Sequence, residues 1–282
     1  MVRFFLLVFS CLLVSTLPAQ AETTLENIQK TGILKVGIRD DAIPFGYRDY
    51  QDHFSGVCID FVDLLKKRIL TKLNRKIISV ALVESNLFNR FRLVEDNVVH
   101  LECGPNSIKE DLEFNVIFSN PFFVTGTQFF LKKNQLENIN LNGNLSNVSL
   151  GVLRNTNTEA YLRANYPQAN IILFQGETGR ARGVQAVGGE RIAAMVSDGI
   201  LLLGEAIAQG LPVEDNYTLL PEKPITCEYY GMILPKDDPQ WEELVNSAIA
   251  EFETTETTWF IEIEDYVKTI ENYCENRGRE LP

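Results

Sequence analysis

The sequence predicts an exported α/β protein, and three observations support that prediction. The first 21 of the 282 residues have the pattern of a targeting segment, and strand and helix patterns alternate along the rest of the chain. No later stretch approaches the ~18 apolar residues that a membrane helix needs. The length that remains suits two modest lobes or one large domain.

The N-terminal segment has the three regions of a secretory signal peptide. Arg3 supplies the positive charge, the uncharged apolar run 4–14 follows it, and Ala19-Gln20-Ala21 forms a small-x-small cleavage site. We therefore expect cleavage after Ala21 and a mature chain that begins at Glu22. Cys11 leaves a lipid anchor as an alternative, although the apolar run that continues past it disfavours one.

The composition argues against several classes of function. The chain has 38 aspartates and glutamates against 26 lysines and arginines, a formal net charge of −12, which argues against nucleic-acid binding. The only histidines, His53 and His100, fit no catalytic-triad or metal spacing, and no glycine-rich phosphate loop is present. We expect no cofactor, no metal and no catalytic constellation.

Four cysteines remain after the targeting segment: Cys58, Cys103, Cys227 and Cys274. An even number in an oxidising compartment predicts two disulfides. Structural zinc is the rival hypothesis, and it is disfavoured because the sequence has no C-x-x-C pair and no histidine cluster.

The order of predicted elements is similar in the two halves of the chain. In the first half we predict helices over 24–31, 59–73 and 86–96, and strands over 33–38, 77–83 and 98–102. In the second half we predict strands over 148–153, 171–174, 193–196 and 225–234, and helices over 155–161, 183–187, 199–210 and 239–252. This alternation predicts doubly wound α/β lobes.

The stretch 102–134 is the most informative part of the sequence. Glu102-Cys103-Gly104 is followed after thirteen residues by Phe118-Ser119-Asn120-Pro121 and a β-rich run. This pattern resembles the crossover between the two lobes of bacterial periplasmic amino-acid-binding proteins, solute-binding protein family 3, and especially of the glutamate/aspartate-binding members. Further segments resemble the same family in the same order: 36–40, 44–45, 56–60, 89–91 and 230–239.

The resemblance implies a two-lobe periplasmic-binding-protein fold of type II, each lobe a mixed sheet flanked by helices. It implies that 22–124 and 228–282 form lobe 1, that 128–224 forms lobe 2, and that hinges lie near 125–127 and 225–227. It also implies a periplasmic monomer that binds an amino acid or small organic acid and delivers it to the membrane permease subunits of an ABC transporter. A dehydratase-like enzyme on the same scaffold and a soluble sensory ligand-binding domain are the alternatives.

The resemblance also implies ligand contacts, each with an ordinary structural alternative. Asp198 matches an aspartate that pairs with the ligand ammonium, or it caps the helix that follows. Thr156 and Asn157 match a turn that holds the ligand carboxylate, or they form an ordinary helix start. Arg39 matches an arginine that faces an acidic side chain, or it is a solvated residue beside Asp40.

Four more residues complete the predicted ligand-binding site: Phe45, Ser107, Lys109 and Gln175. Phe45 is expected to form an aromatic wall of the cleft or to lie in the core, and Gln175 falls where acidic-amino-acid binders often have a histidine. The family's carboxylate-clamping arginine falls at Leu112. We expect Lys109, three residues earlier on the same face of a helical turn, to replace it or to be a solvated lysine.

The resemblance extends to the disulfides. A similar tie between the return hinge and the C-terminal tail occurs in glutamate-receptor domains, and it implies a bond between Cys227 and Cys274. Cys58 and Cys103 form a second pair or stay buried thiols.

Overall fold

The protein consists of two α/β lobes, each built around a five-stranded mixed sheet, as the sequence predicts. The computed structural model describes residues 22–252 and 263–280. The predicted signal segment 1–21 lies outside the described residues. None of the helices in the described ranges combines the length and the hydropathy needed to cross a membrane.

The helices are α1 (Thr24–Thr31), α2 (Val57–Lys72), α3 (Arg90–Glu95), α4 (Asn157–Asn165), α5 (Gly179–Gly188), α6 (Gly199–Ala208), α7 (Val213–Asn216), α8 (Pro239–Glu251) and α9 (Glu264–Glu280), with a short 3-10 helix at Lys133–Asn138. The strands are β1 (Ile33–Arg39), β2 (Asp41–Ala42), β3 (Gly46–Arg48), β4 (Phe54–Ser55), β5 (Ser79–Ser85), β6 (Leu101–Cys103), β7 (Val116–Phe118), β8 (Phe123–Thr125), β9 (Thr127–Lys132), β10 (Ser149–Leu153), β11 (Asn170–Phe174), β12 (Ala194–Asp198), β13 (Tyr217–Leu220), β14 (Glu228–Tyr230) and β15 (Ile233–Pro235).

The sheet of the first lobe has the strand order β5-β1-β6-β15-β7. β1 runs parallel to β5 and β6, whereas β15 runs antiparallel to β6 and β7. β15 comes from the far end of the chain, so the C-terminal part of the sequence completes the first lobe. The parallel strands β1, β5 and β6 end at the same edge of this sheet, which is where α/β folds usually place ligands.

The sheet of the second lobe has the order β11-β10-β12-β9-β13. β10 runs parallel to β11 and β12, and β9 runs antiparallel to β12 and β13. The interior strand β9 is buried on both faces, as its near-continuous apolar run Phe129–Leu131 indicates. The edge strand β13 has no counterpart among the predicted elements.

Two neighbouring passages of the chain connect the lobes. β8 pairs with β14 in an antiparallel register that places Thr125 opposite Glu228. Just beyond this pair, the backbone N–H of Ile225 donates to the carbonyl of Thr127 (3.0 Å). The location of the hinges near 125–127 and 225–227 stays a prediction.

Local sequence signals fix the helix ends. Thr23 and Glu26 form a capping box at the start of α1, and Gly32 ends this helix with a φ of 72°, a conformation that glycine adopts without strain. Asp238 caps α8 and also accepts a hydrogen bond from the backbone N–H of Thr24 (2.7 Å). One carboxylate therefore holds two helices of the first lobe together.

Residues 104–115 form no regular helix, although a helical turn was expected at 109–112. Ser107 makes an isolated β-bridge with Tyr230, and the backbone N–H of Ile108 donates to the carbonyl of Tyr229 (2.8 Å). Pairing with the returning chain replaces the helical hydrogen bonds. The predicted helical face shared by Lys109 and Leu112 is therefore wrong.

Both cysteine pairs form disulfides, which confirms the predicted bonds. Cys58 at the start of α2 bonds Cys103 at the end of β6 (S–S 2.03 Å). Cys227 beside β14 bonds Cys274 (2.07 Å), which lies inside α9 rather than after the last helix. All four cysteines of the described chain are thus used, and none is left as a zinc ligand.

Candidate ligand-binding cleft

A polar cavity of about 140 Å³ lies between the lobes, at the ends of β1, β10 and β12. Six of the eight predicted ligand-binding residues line it: Arg39, Ser107, Lys109, Thr156, Asn157 and Asp198. The lining also contains Arg90, Arg180 and Glu228, so it brings four cationic side chains and two carboxylates together.

Asp198 supplies a half-buried carboxylate to the cavity. It occupies the N-cap position of α6, but its side chain makes no capping hydrogen bond. Instead it accepts a hydrogen bond from the hydroxyl of Tyr230, across the lobes. Burial, together with nearby Glu228, raises the pKa of Asp198 to about 6, although the bond from Tyr230 and the charge of Arg180 oppose the rise. The ionised carboxylate is therefore costly at this position and would be stabilised by an added positive charge.

Arg39 is completely buried at the end of β1, so it is not a solvated surface residue. Its Nε donates to Oδ1 of Asp41 (2.7 Å), and its Nη2 lies 2.6 Å from the same oxygen. Nη1 has no hydrogen-bond partner among the described residues. Because a buried cation needs its donors satisfied, this nitrogen is available to a ligand oxygen.

Arg90, at the start of α3, is a site residue that the sequence analysis did not assign. Its Nη1 donates to Oδ1 of Asn106 (2.9 Å), and its Nε has no hydrogen-bond partner among the described residues. Burial and the neighbouring Arg39 lower the pKa of Arg90 to about 10, although Glu102 opposes the change. Arg90 remains a cation at neutral pH. Its one sequence signal was its place in the Asn89–Phe91 segment that resembles the family.

Arg180, on α5 of the second lobe, was also missed. It is only 5% exposed, and its Nη1 donates to the backbone carbonyl of Asp41 in the first lobe. Its Nε, like that of Arg90, has no hydrogen-bond partner in the described part of the chain. In the sequence Arg180 and Arg182 look like an ordinary pair of solvated arginines, so nothing distinguishes Arg180 from an arginine on the protein surface.

Thr156 begins α4 as an ordinary helix cap. Its hydroxyl accepts from the backbone N–H of Glu159 (3.2 Å) and donates to the carbonyl of Leu153 (2.8 Å). Asn155 before it has a φ of 61°, a left-handed conformation that asparagine tolerates. The cap does not exclude ligand binding, because the first N–H groups of a helix lack intrahelical partners and attract anions.

Lys109 lies at the rim of the cavity rather than in its interior. It is exposed, and its Nζ lies 5.7 Å from the centroid of the Phe91 ring. Leu112 does not line the cavity and packs against the hydrophobic cluster that includes Phe91. The structure therefore places the cations of the cavity interior at Arg39, Arg90 and Arg180.

Phe45 and Gln175 do not line this cavity. Phe45 is completely buried in the core of the first lobe, with its ring centroid 5.0 Å from that of Phe123 and 5.4 Å from that of Tyr230. Gln175 is exposed and lines a neighbouring cavity, where its Oε1 accepts from Arg154 (3.4 Å). The core alternative holds for Phe45, since its ring is fully buried among aromatic neighbours.

Residues 34–261 match the family model of the bacterial extracellular solute-binding proteins, family 3. The chain belongs to this family. The match spans both lobes and the segments that line the cavity, and it confirms the resemblance seen in the sequence.

Curated relatives of this solute-binding protein include several with named ligands. The glutamate/aspartate import solute-binding protein of Escherichia coli (strain K12) is 29% identical over 236 residues, covering 83% of this chain and 76% of the relative. The glutamine-binding protein of Geobacillus stearothermophilus is 25% identical, with 77% of this chain and 78% of the relative covered.

Solved structures agree with the two-lobe fold. An ancestral amino-acid-binding protein described as a precursor of cyclohexadienyl dehydratase superimposes with a TM-score of 0.68, at 23% identity, covering 87% of this chain and 99% of that one. An arginine-bound binding protein from T. maritima gives 0.64 at 19% identity, covering 80% of this chain and 99% of that one. At these identities the likeness concerns the fold alone.

Proposed function

We propose that this solute-binding protein is the periplasmic receptor of an ABC-type importer and binds an acidic amino acid between its lobes. The observation that supports this most is that Asp198 lines one cavity together with a buried arginine from each lobe, Arg39 and Arg180. An amino acid with an acidic side chain carries one ammonium and two carboxylates, which is the complement of this arrangement.

The ammonium group is proposed to bind at Asp198. This carboxylate is half-buried and makes no capping hydrogen bond, and its raised pKa reflects the cost of its charge without a strong cationic partner. A ligand ammonium would supply that partner. The free-energy cost of desolvating a buried ion pair is offset only when both charges are paired and hydrogen-bonded.

The two carboxylates are proposed to bind at different walls. The side-chain carboxylate belongs near Arg39 and Arg90. Nη1 of Arg39 and Nε of Arg90 have no hydrogen-bond partner among the described residues. The α-carboxylate belongs at the start of α4 beside Thr156 and Asn157, within reach of Arg180. Guanidinium groups suit both positions because they can donate two parallel hydrogen bonds to a carboxylate. This distribution would compensate for Leu112, where the family has an arginine.

The relatives support the same ligand class. The proteins from Escherichia coli and from Salmonella typhimurium are named for glutamate/aspartate import, and a third, from Pseudomonas aeruginosa, is named for L-glutamate and L-aspartate binding. The word import in two of these names supports delivery to a membrane transporter. Export of this chain, by cleavage after Ala21, and a monomeric state belong to the same proposal.

Ligand binding is proposed to stabilise the closed arrangement of the lobes. Two contacts already cross the cleft, from Arg180 to the carbonyl of Asp41 and from Tyr230 to Asp198. A ligand that touches Arg39 on one side and Asp198 on the other would add to them. Closure is favoured only by the difference in ligand affinity between the open and closed forms.

A dehydratase-like enzyme is the second candidate, because a carboxyl group with a pKa near 6 also suits general acid or base catalysis. We favour binding for two reasons. Tyr230 and Arg180, which neighbour Asp198, hold its side chain in place, and the surrounding arginines offer positions for carboxylates rather than a reacting centre. Turnover of a cyclic prephenate-like acid, absent in an Asp198→Asn control, would replace the binding proposal.

A thermal-shift screen of the twenty amino acids and small di-acids tests the proposed ligand. Ligand at a hundred times its Kd adds about 2.7 kcal/mol to the unfolding free energy, so a true ligand produces a clear rise in Tm. We expect L-glutamate and L-aspartate to raise Tm, and lysine and arginine to leave it unchanged. A screen in which only cationic or apolar amino acids raise Tm would contradict the proposal.

A further inference from the structure

A second cavity, of about 110 Å³, adjoins the charged one. It lies beyond the ends of β5 and β11, the edge strands of the two sheets, and Leu87 and Leu153 line both cavities. The two cavities are therefore neighbours that share these leucine side chains as a wall. A ligand in the charged cavity would have to extend past these side chains to reach the second one.

The walls of the second cavity are apolar and come from both lobes. Phe88 and Leu87 follow β5 of the first lobe, and Leu153 and Phe174 end β10 and β11 of the second. Leu87 also packs against a hydrophobic cluster of the second lobe, so closing the lobes assembles these walls. Phe88 is 65% exposed at this place, where a bound apolar group would cover it.

The polar groups of the second cavity suit an amide-linked extension. Gln175 contributes a carboxamide, held by Arg154 at its Oε1 (3.4 Å) and by Arg182 at its backbone carbonyl (2.6 Å). Gly176 leaves space, because a side chain added there would meet no atom within 4 Å. Glu177 lies close to two other carboxylates at this rim, so a ligand carboxylate at this end belongs near Arg154.

We infer that the ligand is an acidic amino acid joined through an amide bond to an apolar residue. The acidic amino acid would occupy the charged cavity, and the apolar residue would lie between Phe88 and Phe174. This inference rests on the proposed function and deepens it. A free acidic amino acid would satisfy the charges at Asp198 and the arginines but would contact neither phenylalanine.

The position of Leu112 agrees with this ligand class. The family's arginine at this place is expected to clamp a free α-carboxylate, and here a leucine packs in a hydrophobic cluster instead. When one carboxyl group of the acidic amino acid has become an amide, the charged cavity needs one carboxylate partner fewer, and the carboxylate of the apolar residue lies at the other end, near Arg154. The amide bond can form at the α-carboxyl or at the side-chain carboxyl group of the acidic amino acid. The carboxyl group that forms it points toward Phe88, and the experiment distinguishes the two linkages.

Calorimetry with five probes tests the inference: L-glutamate, α-glutamyl-leucine, γ-glutamyl-leucine and the two corresponding glycine dipeptides as matched controls. We expect one of the leucine dipeptides to bind about tenfold or more tighter than its glycine control and than L-glutamate, because only leucine buries apolar surface in the second cavity. The linkage of that tighter dipeptide identifies which carboxyl group carries the extension.

Phe88→Ala should remove most of this gain, about tenfold for the tighter leucine dipeptide, while leaving the affinity for L-glutamate unchanged. Tyr50→Ala is the control, since Tyr50 is an aromatic residue of the same lobe that is 93% exposed and lines neither cavity. The inference is overturned if both leucine dipeptides bind no tighter than their glycine controls, or if Phe88→Ala has no effect on the tighter one. Binding of L-glutamate in that case keeps the proposed function, whereas failure of all the probes to bind overturns both.

Discussion

The substitution Asp198→Asn should have opposite effects on ligand binding and on stability. The amide keeps the shape of the side chain and can still accept the hydrogen bond from Tyr230, but it removes the charge. If Asp198 pairs with the ligand ammonium, its loss should cost on the order of 3 kcal/mol, or more than a hundredfold in affinity for L-glutamate.

Without ligand, the same change should stabilise the protein at neutral pH. The pKa of Asp198 rises from an ordinary 3.8 to about 6 in the folded state. A rise of about two pH units corresponds to ~3 kcal/mol, and since the side chain is partly open to the cleft we expect roughly 1–3 kcal/mol. The folded state holds the proton more tightly than the unfolded state. The carboxyl group therefore favours folding most below about pH 4, and this contribution is lost as the pH rises through about 6.

Urea unfolding at pH 8 and pH 4 and calorimetry with L-glutamate measure the two effects. Asp198→Asn should raise the unfolding free energy at pH 8, change it little at pH 4, and abolish tight binding. Asp40→Asn is the matched control, because burial and nearby carboxylates also raise the pKa of Asp40 to about 6 but Asp40 does not line the charged cavity. It should stabilise the protein without weakening binding. An Asp198→Asn variant that binds L-glutamate as tightly as the parent protein would refute the reasoning.

Three further predictions follow from the cleft and the disulfides. The affinity for L-glutamate should be constant above about pH 7 and fall by up to about tenfold per pH unit below pH 6, as Asp198 takes up a proton; a calorimetric pH series should lose this dependence in Asp198→Asn. Arg90→Met should weaken L-glutamate binding by roughly a hundredfold, because it removes a buried charged donor, whereas Arg92→Met, an exposed arginine of the same helix, should leave the Kd unchanged. Replacing Cys227 and Cys274 by serine should lower the unfolding free energy by about 2–4 kcal/mol in urea titrations, with little change in Kd, since neither cysteine lines the cavity.

Much of the fold follows from periodic patterns in the sequence. The predicted helix over 24–31 and the strand that begins at 33 agree with α1 and β1, because a capping box and Gly32 mark the boundary between them. The strand β13 was missed, since its four residues form a sheet edge and show only a short apolar run. The irregular segment 104–115 was missed because its partner, the return strand, lies more than a hundred residues away.

The site was predictable only where a family pattern marked it. Asp198 and Arg39 stand at the ends of recognisable strands, so their places in the cavity followed from strand order. Arg180 carries no local signal, because its burial depends on contact with Asp41 in the other lobe. Phe45 was expected to face the cleft, but its neighbours Phe123 and Tyr230 come from distant segments that enclose it in the core. Long-range packing of this kind cannot be obtained from spacing along the chain.

A crystal structure of the protein saturated with L-glutamate tests the central claim most directly. We expect the ligand ammonium to lie within hydrogen-bonding distance of the Asp198 carboxylate. We also expect the side-chain carboxylate to contact Arg39 and Arg90, and the α-carboxylate to lie at the start of α4. A ligand bound outside this cavity, or one that places its ammonium away from Asp198, would contradict the account.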